Sequence, residues 1–223
     1  MKDYEIKREI VRVAHMMSDR GMVGTYEGNI SARDGDRMYV TPTAHSKELL
    51  TEAQVITCDL AGNPLEGDLA PTSEAPMHTR CYELRPDIGS VVHCHAPYAT
   101  AFAQANLPVE SRISPEFLTI LGKVPLLRYG RPGTPDIIAD LPEYIYDYDV
   151  FLLANHGVLA VGETAMEAFS KTLSLEMLLK TEVIRRAIAD GTDSSLSDEE
   201  CAALLEMGLP NHGVKGARLL AMP

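Results

Sequence analysis

The chain has 223 residues, 45% of them hydrophobic and 23% charged. That composition is ordinary for a globular protein and disfavours disordered, collagenous and membrane classes. A formal net charge of -12 leaves no basic surface for nucleic acid or an anionic membrane, although a few local donors suffice to bind a small phosphate. With no repeat, linker or low-complexity tract, residues 1–223 are expected to form a single domain around one core, with an irregular tail over 209–223. The four cysteines, Cys58, Cys81, Cys94 and Cys201, are scattered and read as reduced structural thiols. The charged N-terminus has no signal-like apolar region and no run of 18 apolar residues occurs, so a cytoplasmic location is expected.

In chain order, Ile6, Ile10, Val13, Ala14 and Met17 recur at helical spacing over residues 3–20, and Gly21 follows as a terminator. Short β-like runs come next at 29–32, 38–41 and 55–60, separated by Asp34-Gly35 and Gly62-Asn63-Pro64 turn signals, a spacing that predicts an antiparallel meander. Pro71-Thr72-Ser73-Glu74 supplies N-cap residues for a helix through Leu84, which Arg85-Pro86-Asp87 ends. A strand through Val91-Val92-His93-Cys94-His95 leads into a short alanine-rich helix over 98–105. After a loop come β-like runs at 124–127 and 150–153, with a Thr134-Pro135 helix start between them. Asn155-His156-Gly157 is a turn before a strand at 158–161. A capping-box pattern at Thr164 to Glu167 opens a long amphipathic helix to about residue 190, and Ser197 to Glu200 opens a last one. Such an alternation predicts an α/β layered fold with a central, mostly antiparallel sheet flanked by helices.

His93 and His95 are the residues of most chemical interest. On a strand, side chains two apart share a face, so both imidazoles point one way while Cys94 points the other. Two readings stand at this stage. The pair belongs to a metal site, with His156 completing a three-histidine set of the kind that holds catalytic zinc, or the imidazoles are buried and satisfied by hydrogen bonds. Glu74 opens its helix, where the dipole and unpaired N–H groups favour an anion. Beside a metal it is a candidate general base, and without one it merely complements the dipole. Glu27-Gly28-Asn29, Thr41-Pro42-Thr43-Ala44 and Pro71-Thr72-Ser73 each join donors to a tight turn or helix start, as a phosphate cradle does. Turns are generally rich in such residues, so none of the three is decisive singly.

Taken together, Glu27-Gly28-Asn29-Ile30-Ser31, Thr41-Pro42-Thr43, Pro71-Thr72-Ser73-Glu74, His93-Cys94-His95-Ala96 and Asn155-His156-Gly157 resemble the zinc-dependent class II sugar-phosphate aldolase family. The likeness is greatest to its fuculose-1-phosphate branch, in a superfamily that also holds sugar-phosphate epimerases and the adducin head domain. The resemblance spans nearly the whole chain. It implies one zinc ion per chain on His93, His95 and His156, with Glu74 as displaceable fourth ligand and catalytic acid/base. It also implies a substrate phosphate held by Gly28, Asn29, Thr43, Ala44, Thr72 and Ser73, and reversible cleavage of a ketose 1-phosphate into dihydroxyacetone phosphate and an aldehyde through an ene-diolate. A homotetramer with active sites at subunit contacts is implied as well.

Two departures qualify the likeness. The family usually carries glycine where this chain has Ala44, and a residue with a Cβ enters a left-handed turn less cheaply. The family's aldolases also place a tyrosine at the aldehyde end, whereas Ser114-Pro115-Glu116-Phe117 offers Glu116 or Phe117. Epimerase, decarboxylase and dehydratase activities therefore remain alternatives, as does a non-catalytic adducin-like module. Pro97 and Tyr98 stand where a metallo-β-lactamase would need Asp and His, and no glutamate follows His95 as a cupin would require. In the tail, Asn211 and His212 are candidates to close over the site.

Overall fold

The computed structural model describes residues 3–110, 112–189, 191 and 194–207. The first helix, α1, runs Asp3–Asp19 and buries Ile6, Ile10, Val13, Ala14 and Met17. It stops at Gly21, whose φ of 64° lets its N–H return to the Ser18 carbonyl at 2.9 Å. Four strands follow, β1 (Asn29–Asp34), β2 (Arg37–Val40), β3 (Ile56–Asp59) and β4 (Pro64–Glu66), then α2 (Ala75–Leu84), β5 (Ser90–Cys94) and α3 (Pro97–Gln104). The second half holds β6 (Leu126–Leu127), a one-turn α4 (Leu141–Tyr144), β7 (Val150–Leu153), β8 (Gly157–Gly162), α5 (Ala165–Ile188) and α6 (Asp198–Met207).

These strands form one eight-stranded sheet in the order β4-β3-β2-β1-β5-β8-β7-β6. All neighbours pair antiparallel except β6 with β7, so the layered, mostly antiparallel expectation holds. The sheet is covered on both faces, which is why central β5, Ser90–Cys94, is buried at every position. Val92 and Cys94 join the core beneath α1, α3 and α5. Val91, Leu159 and Val161 face the second core, with Ala75, Met77, Cys81 and Tyr82 of α2. His93 has the parity of Val91, so the sheet delivers it to the α2 side.

The turn at Gly62-Asn63-Pro64 continues into the exposed three-residue edge strand β4, where proline is tolerated because its missing N–H faces no partner. The run at 124–127 shortens to two strand residues, Val124 making only an isolated bridge to Val109. Between α3 and β6, Phe117–Leu121 winds as one π-helical turn, a segment whose continuous apolar run carries no clear period. The Thr134-Pro135 start yields a short 3-10 helix, Pro135–Ile138. At α5 the Thr164 hydroxyl accepts the Glu167 N–H at 3.1 Å, while the Glu167 carboxylate reaches back to the Glu163 N–H at 2.9 Å. Among the described residues, no helix is long and apolar enough to cross a membrane.

Candidate metal centre and active site

The histidines converge. The ligand-capable atoms of His93, His95 and His156 lie within 4.8 Å of one another, and the ring centroids are 4.7 to 5.0 Å apart. Adjacency across the sheet arises because β8 pairs with β5 from Ser90↔Gly162 to Cys94↔Val158, which brings the turn before β8 beside the end of β5. Asn155 makes that turn with a φ of 59°, one of the few side chains that enters the left-handed region readily. Gly157 is required next, since a Cβ there would meet the Cys94 carbonyl oxygen at 2.6 Å and His95 Cδ2 at 2.7 Å.

Tautomers follow from the partners. The His93 Nδ1 lies 2.8 Å from the Val158 carbonyl oxygen, which only accepts, so Nδ1 carries the proton and the Nε2 lone pair faces the centre. His95 presents its Nε2 to that lone pair at 3.2 Å, while its Nδ1 stands 3.6 Å from Glu27 Oε2. Burial, and then the neighbouring His156 and His95, hold the His93 imidazole well below its usual pKa, and burial likewise lowers His156. Neutral imidazoles are the metal-binding form.

Glu74 caps the centre. Its Oε2 is 3.4 Å from His93 Nε2 and its Oε1 3.7 Å from His156 Nε2. Glu74 Oε1 and His156 Nδ1 are both buried without a hydrogen-bond partner, an arrangement that is costly if nothing else enters the site. Two nitrogens bound to one zinc at ~2.0–2.1 Å in tetrahedral geometry stand about 3.3 Å apart. The 3.2 Å between the His93 and His95 Nε2 atoms fits such a centre, and His93, His95, His156 and Glu74 are the residues able to hold the ion.

The three turns with phosphate-cradle character also meet. Pro42 and Pro71 form an antiparallel bridge, flanked by Thr43 N–H to the Ala70 carbonyl and Thr72 N–H to the Thr41 carbonyl, both 3.1 Å. Those two backbone donors are thus spent on joining the loops. The Thr72 hydroxyl accepts the Glu74 N–H at 3.3 Å, and Ser73 is exposed. Ala44 takes a φ of 52°, so the left-handed turn persists without glycine at a cost of about 1–2 kcal/mol. Gly28, with a φ of 69°, packs so closely that a Cβ would lie 2.9 Å from the His93 carbonyl oxygen. Asn29 pairs across the sheet with His93, and its Nδ2 donates to Glu74 Oε2 at 2.8 Å.

The aldehyde-end candidates separate. Glu116 is exposed, and its carboxyl accepts from the Ser114 hydroxyl at 2.8 Å, which lowers its pKa. Phe117 is 1% exposed, on the π-helical turn that packs against α5, where it lines a cavity with Phe102, Leu178 and Glu182. Asn211 and His212 lie outside the described residues.

Several further polar residues reach the site, and no sequence pattern assigns them a role there. Glu27 beside His95, and Ser31, His78 and Tyr82 beneath Asn29, become neighbours only through strand register and helix docking. Lys47 follows the Thr41-Ala44 turn and is 2% exposed. Its ammonium donates to the His45 carbonyl at 2.9 Å, and burial pushes its pKa down to about 8. A lysine in a polar loop carries no sequence signal for burial.

A mixed sheet with helices on both faces and a convergent imidazole set beneath a helix-capping glutamate defines a metal-dependent class of α/β protein. Residues 8–183 match the class II aldolase and adducin N-terminal domain, and the chain belongs to that family. It is 33% identical over 176 residues to an L-fuculose phosphate aldolase of Methanococcus maripaludis, covering 79% of this chain and 95% of that one. It is 34% identical over 185 residues to a 3-oxo-tetronate 4-phosphate decarboxylase of Haemophilus influenzae, covering 81% and 88% respectively. Among solved structures, an L-fuculose 1-phosphate aldolase superposes with a TM-score of 0.81 at 27% identity, over 91% of this chain and 95% of that one.

Proposed function

We propose that the protein is a zinc-dependent aldolase that reversibly cleaves a ketose 1-phosphate, fuculose 1-phosphate or a close analogue, into dihydroxyacetone phosphate and an aldehyde. The observation that carries this reading is the Glu74 carboxylate set over three converging imidazoles, with Oε1 buried and unbonded. Imidazole donors favour zinc over magnesium or calcium, which prefer oxygen. Bound there, zinc supplies Lewis acidity at the substrate carbonyl.

The remaining work falls to the chain. His93, His95 and His156 hold the ion, and Glu74 yields its place to substrate and becomes acid/base. In the condensing direction the Glu74 carboxylate takes a proton from the hydroxymethyl carbon of dihydroxyacetone phosphate. The electron pair left on that carbon forms the new bond to the aldehyde carbon as the C=O pair moves onto its oxygen, which takes a proton from solvent while Glu74 releases the one it removed. In cleavage the hydroxyl gives up its proton to solvent as the bond breaks, the pair returns to the three-carbon fragment, and the protonated Glu74 delivers its proton to that carbon. The Asn29 side chain, Thr43, Thr72, Ser73 and the backbone at Gly28 and Ala44 hold the phosphate, which fixes the reacting carbons in reach of Glu74. Glu116 is the remaining aldehyde-end candidate in this chain, and a homotetramer with sites at subunit contacts completes the proposal.

A second reading is supported by the likeness to the Haemophilus decarboxylase. Loss of carbon dioxide from a 3-oxo acid phosphate leaves an electron pair on a carbon beside the ketone, which Glu74 protonates in the same way. The test is a screen of ketose 1-phosphates for dihydroxyacetone phosphate release by the zinc-loaded protein, with 3-oxo acid phosphates assayed for carbon dioxide in parallel. Release of dihydroxyacetone phosphate together with an aldehyde supports the aldolase, while turnover of the oxo acids alone moves the protein to the decarboxylases. Sedimentation as a monomer at micromolar concentration would remove the tetramer.

A further inference from the structure

Beneath Asn29 a line of buried polar side chains runs away from the metal centre. Glu74 Oε2 accepts from Asn29 Nδ2 at 2.8 Å, and Asn29 Oδ1 lies 2.5 Å from His78 Nε2. His78 Nδ1 lies 2.7 Å from Ser31 Oγ, which lies 2.7 Å from the Tyr82 hydroxyl. Asn29, Ser31 and His78 are at most 4% exposed and Tyr82 is 3% exposed. Elements already described build the line. Asn29 and Ser31 lie two apart on one face of β1, while Glu74, His78 and Tyr82 stand at i, i+4 and i+8 along the start and inner face of α2.

Partner chemistry gives the line one direction. A carboxylate only accepts, so the Asn29 NH2 must face Glu74 and its carbonyl oxygen must face His78. That oxygen also only accepts, so His78 Nε2 carries the proton and Nδ1 is bare. Ser31 therefore donates to Nδ1, and Tyr82 donates to Ser31. Were the amide flipped, its oxygen would meet the Glu74 carboxylate, and its NH2 would meet the His78 N–H.

We propose that His78 is a positioning residue: as the Nε2–H tautomer it locks the Asn29 amide with its NH2 toward the centre, which holds the Glu74 carboxylate over the three imidazoles. Its consequence for turnover rests on the aldolase reading. Leucine at 78 fills the space of the ring but offers Asn29 Oδ1 no donor, so the amide is held from the Glu74 side alone and its NH2 is no longer fixed in place. Glutamine carries an amide N–H to about the position of Nε2 and restores the lock.

The test combines spectroscopy of the unliganded protein with kinetics of the zinc-loaded enzyme. Two-bond proton–nitrogen correlation spectra of wild type are expected to show His78 as the neutral Nε2–H tautomer. The Asn29 side-chain NH2 signals should be protected from solvent exchange in wild type and should lose that protection and shift in His78→Leu. Both readouts need no substrate. A wild type that cleaves no ketose phosphate therefore sinks the aldolase reading while the lock is still judged. An Nδ1–H or imidazolium His78, or Asn29 signals unchanged in His78→Leu, would overturn the lock. With an active wild type, His78→Leu should lose about 10–100-fold in kcat, the scale seen for residues that orient catalytic ligands. KM should rise as well, because the same Asn29 amide serves the substrate phosphate, while zinc stays at one per chain. His78→Gln should recover most of the loss. Equal kcat in wild type and His78→Leu, or no recovery in His78→Gln, would overturn the positioning role.

Discussion

Gly157→Ala tests the metal centre through its narrowest contact. The added methyl would stand 2.6 Å from the Cys94 carbonyl oxygen, 2.7 Å from His95 Cδ2 and 3.4 Å from His93 Cε1. Ordinary van der Waals separation then needs a retreat of about 0.7–0.8 Å by the backbone at the end of β5 or by the His95 ring. Metal–ligand distances tolerate only about 0.2 Å. The displacement exceeds that several-fold, so zinc affinity should fall about 10–100-fold, equivalent to about 1.4–2.8 kcal/mol. Competition with a chromophoric chelator measures the affinity, and urea unfolding of the metal-free protein measures stability. Gly35→Ala is the control for a glycine replaced without crowding: it forces a residue with a Cβ to a φ of 60°, a conformation Gly157 does not adopt, but with nothing within 4 Å. It should cost about 1 kcal/mol of stability and leave zinc affinity intact. Wild-type zinc affinity in a folded Gly157→Ala protein would refute the convergence of His93, His95 and His156 on one ion.

Glu74→Gln should lower proton exchange at dihydroxyacetone phosphate about 10²–10⁴-fold, the range of general acid–base catalysis, with zinc still bound at one per chain; an undiminished exchange rate removes Glu74 from the mechanism. In the metal-free protein, burial pulls the His78 pKa down to about 3, against ~6.5 for an unfolded chain. The unfolded state therefore binds the extra proton between these values. The stability held by a neutral His78 is intact above about pH 6.5 and lost at up to ~1.4 kcal/mol per pH unit as pH falls toward 3. Urea unfolding of wild type against His78→Gln, between pH 7 and 4, should show that difference in slope, and parallel curves would contradict it. Ala44→Gly relieves about 1–2 kcal/mol of left-handed strain against about 0.5–1 kcal/mol of added unfolded-state entropy. A net gain of roughly 0.5–1 kcal/mol in urea unfolding is expected, and a loss would mean that the Ala44 methyl makes contacts worth more than the strain.

Much of the fold was legible because its cues are local. Gly21 and Gly35 mark a helix end and a hairpin, the alternation through 91–95 marks a strand with its histidines on one face, and Thr164 to Glu167 marks a helix start. Where cues are short or aperiodic, local pattern is silent: only sheet pairing extends the Gly62-Asn63-Pro64 turn into β4, and only packing winds Phe117–Leu121 into a π-helical turn. The metal-ligand candidates stood out as residue types, since His93 and His95 lie two apart on one strand and Asn155-His156-Gly157 has the composition of a tight turn.

What the sequence determined by itself was therefore which residues carry the chemistry and which local conformations they favour. Only the tertiary structure decided who stands beside whom. The Asn29↔His93 register sets an amide beside a metal-ligand candidate, and the docking of α2 brings Glu74 over the imidazoles and His78 under Asn29. Lys47 and Phe117 acquired their burial in the same way. Such relations depend on contacts between residues up to 82 positions apart, as Glu74 and His156 are. Local propensity is silent about them, since packing and strand register settle them only when the whole sheet closes.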